Sequence, residues 1–454
     1  MFNQMNDTIC ALATATGGAL GIIRVSGAQA IEFVNRIFSA NLMNAKPNST
    51  IFGRVYSPPP IGGGRGEAID EVIVSVFRAP RSYTGEDSVE ISCHGSRYIL
   101  NKVLELLVQQ GCRTANPGEF TQRAYLNGKL DLSQAEAVAD LIASTNKATH
   151  QMALSQLRGG ISSELAVLRE KLLKLTSLLE LELDFSDHED LEFADRSELQ
   201  ALAVSIRERV EKLADSFEKG QALKQGVPVA IVGKTNVGKS TLLNRLLKDD
   251  RAIVSDIHGT TRDTIEDTID LQGVNFRFID TAGIRQTADA IEQIGIDRTY
   301  AAIEKARIVL WVVDGALNDA EQEEMRRRCH GKRLIIVQNK IDQTESLEIP
   351  NAIGISAKHG TNLDELETEI HKAANIPEIT ENDIIVTSAR HYEALLRAHD
   401  SLDRVINGLE TQLSGDLVSE DLRQTLLHLA EITGGEITTD EVLASVFRDF
   451  CVGK

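Results

Sequence analysis

Cysteine is scarce in this 454-residue chain, and basic residues are outnumbered. Cys10, Cys93, Cys112, Cys329 and Cys451 lie far apart and are odd in number, with no Cys-x-x-Cys pair and no Cys/His cluster. That argues against a disulfide scaffold or a structural zinc site. No segment approaches the ~18 uninterrupted apolar residues of a membrane span, and no basic stretch precedes the first apolar run, which predicts a cytoplasmic protein. With 48 basic against 67 acidic side chains the formal net charge is −19, so the chain as a whole repels polyanions. What is present is ordinary globular material, 42% apolar and 25% charged. At ~150 residues per domain this length predicts about three folded units.

The expected architecture is multidomain, α/β plus α. The first 122 residues mix β runs (Gly21–Val25, Ala68–Phe77, Ser88–Ser92) with a helical pattern over Arg97–Gln109, around a turn-rich stretch from Ser57 to Gly66. From 123 to 222 the pattern turns helical, and Leu165, Leu168, Leu172, Leu175 and Leu179 form an apolar seam at alternating spacings of three and four. Between 223 and 377 the β runs Pro228–Val232, Phe276–Ile279, Ile308–Val313, Leu334–Val337 and Ala352–Ile355 alternate with helical stretches, which predicts a mostly parallel sheet. From 378 to 454 a second seam appears at Leu395, Ala398, Leu402, Val405 and Leu409, followed by helical patterns over Leu417–Ile432 and Thr438–Phe447. Two readings stand: one helical domain interrupted by the α/β unit, or two separate helical domains.

Gly233-Lys-Thr-Asn-Val-Gly-Lys-Ser240 fits G-x-x-x-x-G-K-[ST] between an apolar strand and the helical run Thr241–Leu247. Gly233 and Gly238 let backbone amides, Val237 among them, turn toward phosphate oxygens at a helix N-terminus. Lys239 then neutralises the β- and γ-phosphates, and Ser240 offers its hydroxyl to Mg²⁺. Asn236 either caps the turn or lends its amide oxygen to a monovalent cation. Asn339-Lys-Ile-Asp342 follows a later β run, and a carboxylate at Asp342 can accept from the N1–H and N2–H donors of guanine, a pair that adenine lacks. Ser356-Ala357-Lys358 is its companion in the base pocket, so GTP is expected over ATP.

Asp280-Thr281-Ala282-Gly283 ends another β run, where Asp280 can reach the Mg²⁺ shell and the Gly283 N–H can sense the γ-phosphate. Ile284 follows, and an apolar side chain cannot orient the attacking water. Glu292 is the candidate for that task, against the alternative of a solvated helix-face glutamate. In the segment Ser255-Asp256-Ile257-His258-Gly259-Thr260-Thr261, Thr261 is assigned to Mg²⁺. Cys451 is an activated thiol or a packed small residue. Arg326–Arg328 with Lys332 and Arg333 reads as a solvated helix end, and Gly17–Gly21 lacks the order of a dinucleotide turn.

Beyond the phosphate loop, Ser82–Asp87 (SYTGED), Asn116–Phe120 (NPGEF), Lys129–Glu136 (KLDLSQAE), GTTRD at 259–263 and the terminal C-x-G-K are distinctive. With them, the whole chain resembles the MnmE (TrmE) family of tRNA-modification GTPases. The resemblance implies an N-terminal domain that dimerises and binds a 5-formyl- or methylene-tetrahydrofolate, a helical domain, and a Ras-like G domain inserted into it. It implies folate contacts at Arg24, Glu90, Lys129 and Lys454. It further implies K⁺-dependent GTP hydrolysis with potassium held by Asn236, Ser255, Ile257 and Thr260, and with Glu292 and Cys451 as catalytic groups. A homodimer would act with an FAD-containing MnmG (GidA)-type partner to place a carboxymethylaminomethyl or aminomethyl group on carbon 5 of a tRNA wobble uridine. The competing expectation is a regulatory or ribosome-assembly GTPase of the Era or Der type, acting as a binding switch.

Overall fold

The computed structural model describes residues 7–57, 66–184, 196–250, 267–279, 300–343, 349–375, 383–435, 446–447, 450 and 453. The chain divides into two compact units: Met1–Ala143 with Ala153–Glu208 and Ala394–Lys454, and Ser144–Met152 with Arg209–Glu393. The second therefore interrupts the first in sequence.

The first unit opens with β1 (Ile9–Leu12), β2 (Leu20–Ser26), α1 (Ala30–Ile37), β3 (Ser49–Tyr56), β4 (Ala68–Phe77), β5 (Ser88–His94), α2 (Arg97–Gln110) and β6 (Arg113–Thr114). The sheet order is β3-β4-β5-β2-β1-β6, antiparallel throughout except for the parallel β1–β6 pair. Alternation decides which face is buried: Val72, Val74 and Val76 of β4 point inward while their neighbours remain partly or fully exposed. Phe33, Val34 and Ile37 of α1 and Val103, Leu106 and Leu107 of α2 cover that face. Each such apolar side chain contributes roughly 1.5–3 kcal/mol on burial. The expected strands over 21–25, 68–77 and 88–92 and the helix over 97–109 are all there. Sequence patterning missed β1, β3, β6 and α1.

Helices α3 (Glu119–Leu126), α4 (Leu132–Ala143), α5 (Lys147–Leu157), α6 (Gly160–Asp184) and α7 (Arg196–Gln225) follow. The SQAE motif is a helix start. Asp131 Oδ1 accepts from the Gln134 N–H while Gln134 Oε1 accepts from the Asp131 N–H, each at 2.9 Å, which satisfies donors at the N-terminus of α4. Ser162 Oγ donates to the other oxygen of Asp131 at 2.5 Å and so ties the start of α6 to that cap. All five seam leucines of α6 are buried. So are the five seam residues, Leu395 to Leu409, of the helix at Ala389–Glu410.

The second unit carries β7 (Val227–Val232), α8 (Lys239–Asp250), β8 (Asp267–Leu271), β9 (Val274–Phe278), β10 (Ile308–Val313), α9 (Asp319–Arg328), β11 (Arg333–Gln338), β12 (Ile353–Gly354) and α10 (Leu363–Ala374). Beyond them lie α11 (Ala389–Glu410), most of which belongs to the first unit, and α12 (Gly415–Thr433), wholly within it, packed on α6. The sheet order is β12-β11-β10-β7-β9-β8, parallel except for β8. All six residues of β10 are buried, Ile308, Leu310 and Val312 in one core and Val309, Trp311 and Val313 in the other, as a central parallel strand requires. Edge strand β8 turns into β9 through Gln272 and Gly273, both at positive φ (56° and 86°), a two-residue hairpin that fixes the antiparallel sense.

A network of buried charge locks the first unit together. The Arg123 guanidinium, 5% exposed, meets Asp7 (2.5 Å), Glu86 (3.2 Å) and Glu119 (3.2 Å). Arg113 adds a bidentate pair with Glu119 (2.6 and 3.0 Å) and a contact with Asp7 at 2.6 Å. Burial pushes the Asp7 and Glu119 carboxyls up, but Arg113 and Arg123, joined at Glu119 by the Asn116 N–H, more than offset it, leaving both below their ordinary values of 3.8 and 4.5. Groups depressed on folding stabilise the native state above those values, and that contribution is lost as pH falls through the folded pKa. Arg123→Met leaves Asp7 and Glu119 on the single guanidinium of Arg113 and takes away the arginine that Glu86 meets. We expect it to destabilise the protein by about 3–5 kcal/mol at pH 7 in urea unfolding and to flatten the acid limb of stability below about pH 4.5. A loss under 1 kcal/mol would contradict this reading of the network.

Candidate functional site

The groups expected to bind a nucleotide come from the carboxyl ends of β7, β11 and β12, where open α/β sheets place their ligands. The loop 233–238 leaves β7 and enters α8 at Lys239. Asn236 lies in the left-handed region at φ 63°. Gly238 is at φ 97°, and a Cβ there would stand 2.2 Å from Asn339 Nδ2, so only glycine fits. The Lys239 ammonium donates to the Gly233 and Lys234 carbonyls at 2.6 and 2.7 Å, lying back along the loop. Burial pushes its pKa down. Ser240 and Thr241 open the first turn of α8, Ser240 half-buried and Thr241 exposed.

Asn339, 5% exposed, joins three loops. Its Nδ2 donates to the Val237 carbonyl at 2.8 Å and its Oδ1 accepts from the Ala357 N–H at 3.0 Å. Nearby, Ser356 Oγ donates to Asp342 Oδ1 at 2.6 Å. That bond is the main reason the Asp342 carboxyl lies below its usual range, with smaller help from the His359 and Lys358 charges. His359 Nε2 stands 3.8 Å from Asp342, and Lys340, at φ 63°, pairs with Asp314 at 2.7 Å. Lys358 is exposed beside them. The structure thus gathers Gly233, Asn236, Val237, Gly238, Lys239, Asn339, Asp342, Ser356 and Ala357 into one region. Ser255, Asp256, Ile257, His258, Gly259, Thr260, Thr261, Asp280, Thr281, Ala282, Gly283, Glu292, Cys451 and Lys454 lie outside the described residues.

A second cluster sits in the first unit. Arg24 and Glu90 are direct cross-strand partners on β2 and β5, joined by Nε–Oε1 and Nη2–Oε1 contacts of 2.9 and 2.8 Å. Arg24 Nη1 also donates to the Gly453 carbonyl at 3.1 Å, which brings Gly453 to this site. Gly453 is at φ 94°, and a Cβ there would stand 2.3 Å from the Leu12 carbonyl oxygen. Lys129 donates to the Pro80 carbonyl at 3.0 Å, at the base of the loop that carries Tyr83. Sequence reasoning missed Tyr83 and Phe120, whose rings lie 5.4 and 5.6 Å from the Arg24 guanidinium carbon. It also missed the hydroxyl chain Ser26–Thr84 (2.7 Å) and Ser26–Ser88 (3.1 Å). The signal was present, because Tyr83 and Thr84 fall in SYTGED and Phe120 in NPGEF.

The family model described as MnmE helical domain matches residues 132–451, and the one described as GTP-binding protein TrmE N-terminus matches 8–129. A protein of Phocaeicola vulgatus named tRNA modification GTPase MnmE is 53% identical over 500 aligned positions, covering 100% of both chains. Relatives of the same name from Bacteroides fragilis and Porphyromonas gingivalis are 54% and 50% identical, each covering at least 99% of either chain.

If Asp342 reads the base, Asp342→Asn exchanges an acceptor for a donor. An amide faced with guanine loses one charge-assisted bond and gains a donor–donor clash, whereas xanthine offers it an N–H and a carbonyl. Competition against a fluorescent guanine nucleotide should show GTP affinity falling roughly 100-fold or more while that for xanthosine triphosphate rises. Unchanged GTP affinity would remove Asp342 from the site.

Proposed function

This chain belongs to the MnmE family of tRNA modification GTPases, and from that premise we propose that it hydrolyses GTP to GDP and phosphate to drive a step in tRNA wobble-uridine modification. The observation that carries the proposal is the Asn339 amide, which fixes the phosphate loop to the base-reading loop through Val237 and Ala357. GTP phosphates lie along the amides of 233–238 and the Lys239 ammonium, while Asp342 takes the guanine edge. The Ser240 hydroxyl in the first turn of α8 suits a hard cation, and we assign Mg²⁺ to Ser240 and Thr261, with Asp280 toward its shell. When bound, the metal neutralises charge between the phosphates.

Asn236, held at φ 63° in the loop, presents a neutral amide oxygen donor. We assign a potassium ion to it together with Ser255, Ile257 and Thr260, supplying positive charge where other GTPases insert an arginine. Glu292 orients the attacking water in place of Ile284. GTP turnover by the full chain should drop sharply when sodium replaces potassium, and Glu292→Ala should cut turnover while leaving nucleotide affinity unchanged. Equal rates in the two salts refute the cation site, and an undiminished rate in the variant refutes the glutamate.

The Arg24 cluster is the proposed one-carbon site. Arg24 and Glu90 side chains keep 17% and 29% exposure, enough for a ligand to reach both, and the Tyr83 and Phe120 rings offer apolar walls. An anionic glutamyl tail and a donor-bearing pteridine match a cation and a carboxylate in that setting, with Lys129 and Lys454 as further cations. A 5-formyl- or methylene-tetrahydrofolate bound there supplies the one-carbon unit. We assign residues 1–122 to dimerisation and folate binding, 123–222 and 378–454 to the helical domain, and 223–377 to the G domain. Cys451 is assigned a place in the chemistry.

The protein acts in this reading as a homodimer in the cytoplasm with an FAD-dependent MnmG-type partner, and the product carries a carboxymethylaminomethyl or aminomethyl group at carbon 5. A net charge of −19 leaves most phosphate neutralisation to that partner, so the isolated chain should bind tRNA weakly and with strong salt dependence. The deciding measurement is the nucleoside composition of tRNA from cells lacking the protein. The 5-substituent of wobble uridine should disappear, and a normal profile would overturn the assignment.

A further inference from the structure

The basic run near residue 330 is more than a helix end. Three segments meet there: the helical stretch 300–305, the last turn of α9, and the start of β11. Arg333 donates its backbone N–H to the Arg307 carbonyl at 3.1 Å, next to the register pair Ile308–Arg333. The Lys332 ammonium donates to the Glu304 and Ala306 carbonyls at 2.6 and 2.8 Å. Buried Cys329 anchors the turn between them.

Some of this charge is used internally. Arg327 and Arg328 share Glu324 at 2.5 Å, and the Arg328 guanidinium carbon lies 3.6 Å from the Tyr300 ring centroid. Lys305, Arg326 and Arg333 are exposed and have no acidic partner among the described residues. The acidic side chains on the same segments are Glu304 and Glu323 besides the spent Glu324, so the face remains net positive in a chain of net charge −19. It lies at the amino ends of β10 and β11, one strand length, about 20 Å, from the nucleotide-reading carboxyl ends.

We propose that this face contacts the phosphodiester backbone of tRNA, through Lys305, Arg326 and Arg333, on the side of the sheet away from GTP. The inference rests on the tRNA-modification reading above. Free Lys and Arg heads suit phosphate, Arg through its planar fork. The aromatic ring here, Tyr300, is stacked by Arg328 and not offered to a base, so the contact is to backbone and independent of sequence. Such a face positions the RNA and leaves recognition of the anticodon to other groups.

The test uses the full chain and a labelled, unmodified tRNA transcript with uridine at the wobble position, titrated from 50 to 200 mM salt. Combining Lys305→Gln, Arg326→Gln and Arg333→Gln should weaken binding roughly tenfold or more at 50 mM and reduce the slope of log affinity against log salt by about 2–3. GTP turnover should be unchanged, which also reports that the variant folds. The control combines Arg36→Gln, Lys46→Gln and Lys174→Gln, an equal change of net charge on the first unit, and should leave tRNA affinity near wild type. Equal weakening by both sets would mean bulk charge alone and overturns the proposal. So does an unaltered slope in the first set, or loss of binding to an acidic protein with tRNA binding intact. A wild-type chain that binds no tRNA at any salt overturns it too. Wobble-uridine content in cells carrying the first variant separates that failure from failure of the functional reading.

Discussion

One carboxamide organises the nucleotide-binding half of this protein. Asn339 spends its donor on the 233–238 loop and its acceptor on the loop of Ser356 and Ala357, so the two cannot shift independently. The arrangement tolerates no bulk, because a Cβ at position 238 would collide with the same Nδ2. Inside a protein an amide left with either bond unmade costs about 1–3 kcal/mol. Glycine and asparagine, a hundred residues apart, therefore depend on each other. The Asp342 carboxylate sits one turn from this clamp and is itself held by Ser356, so both loops are fixed against one rigid reference.

The first unit uses charge where the second uses a dry sheet. Arg123 and Arg113 collect carboxylates from the chain start, the SYTGED loop and the NPGEF turn, and so hold the loops around Arg24 at fixed spacing. The same loops present Tyr83 and Phe120 to the guanidinium that also donates to the Gly453 carbonyl. The distinctive motifs of this half thus include residues whose charge is spent inside the unit. Glu86 and Glu119 are examples: both are spent on Arg123.

What the sequence made legible follows from locality. A phosphate loop is eight consecutive residues with fixed chemistry, and Gly233–Ser240 was readable from spacing alone. Ile308–Val313 was readable at both ends because a strand buried on two faces must be a continuous apolar run. The α6 and α11 seams were readable because every third or fourth position is apolar and buried. Strand β8 was not, since an edge strand buries only Ile269 and Leu271 and is otherwise polar. Strand β3 buries little more, with Phe52 67% exposed. The charge network joins positions 7, 86, 113, 119 and 123, a pattern with no period. Arg24 and Glu90 entered through family resemblance, and only the register of β2 against β5 explains why they touch.

The interruption of the first unit by the second has a consequence during synthesis. Helix α6 packs on α12, yet its partner lies beyond the whole of the intervening unit, Arg209–Glu393. At ~5–20 residues per second, some 200 residues leave the ribosome over roughly 10–40 s before that partner emerges. For that interval α6 lacks the helix α12 that packs on it in the folded unit. The nucleotide-binding unit is thus complete in sequence before the last segment of the unit that it interrupts, Ala394–Lys454.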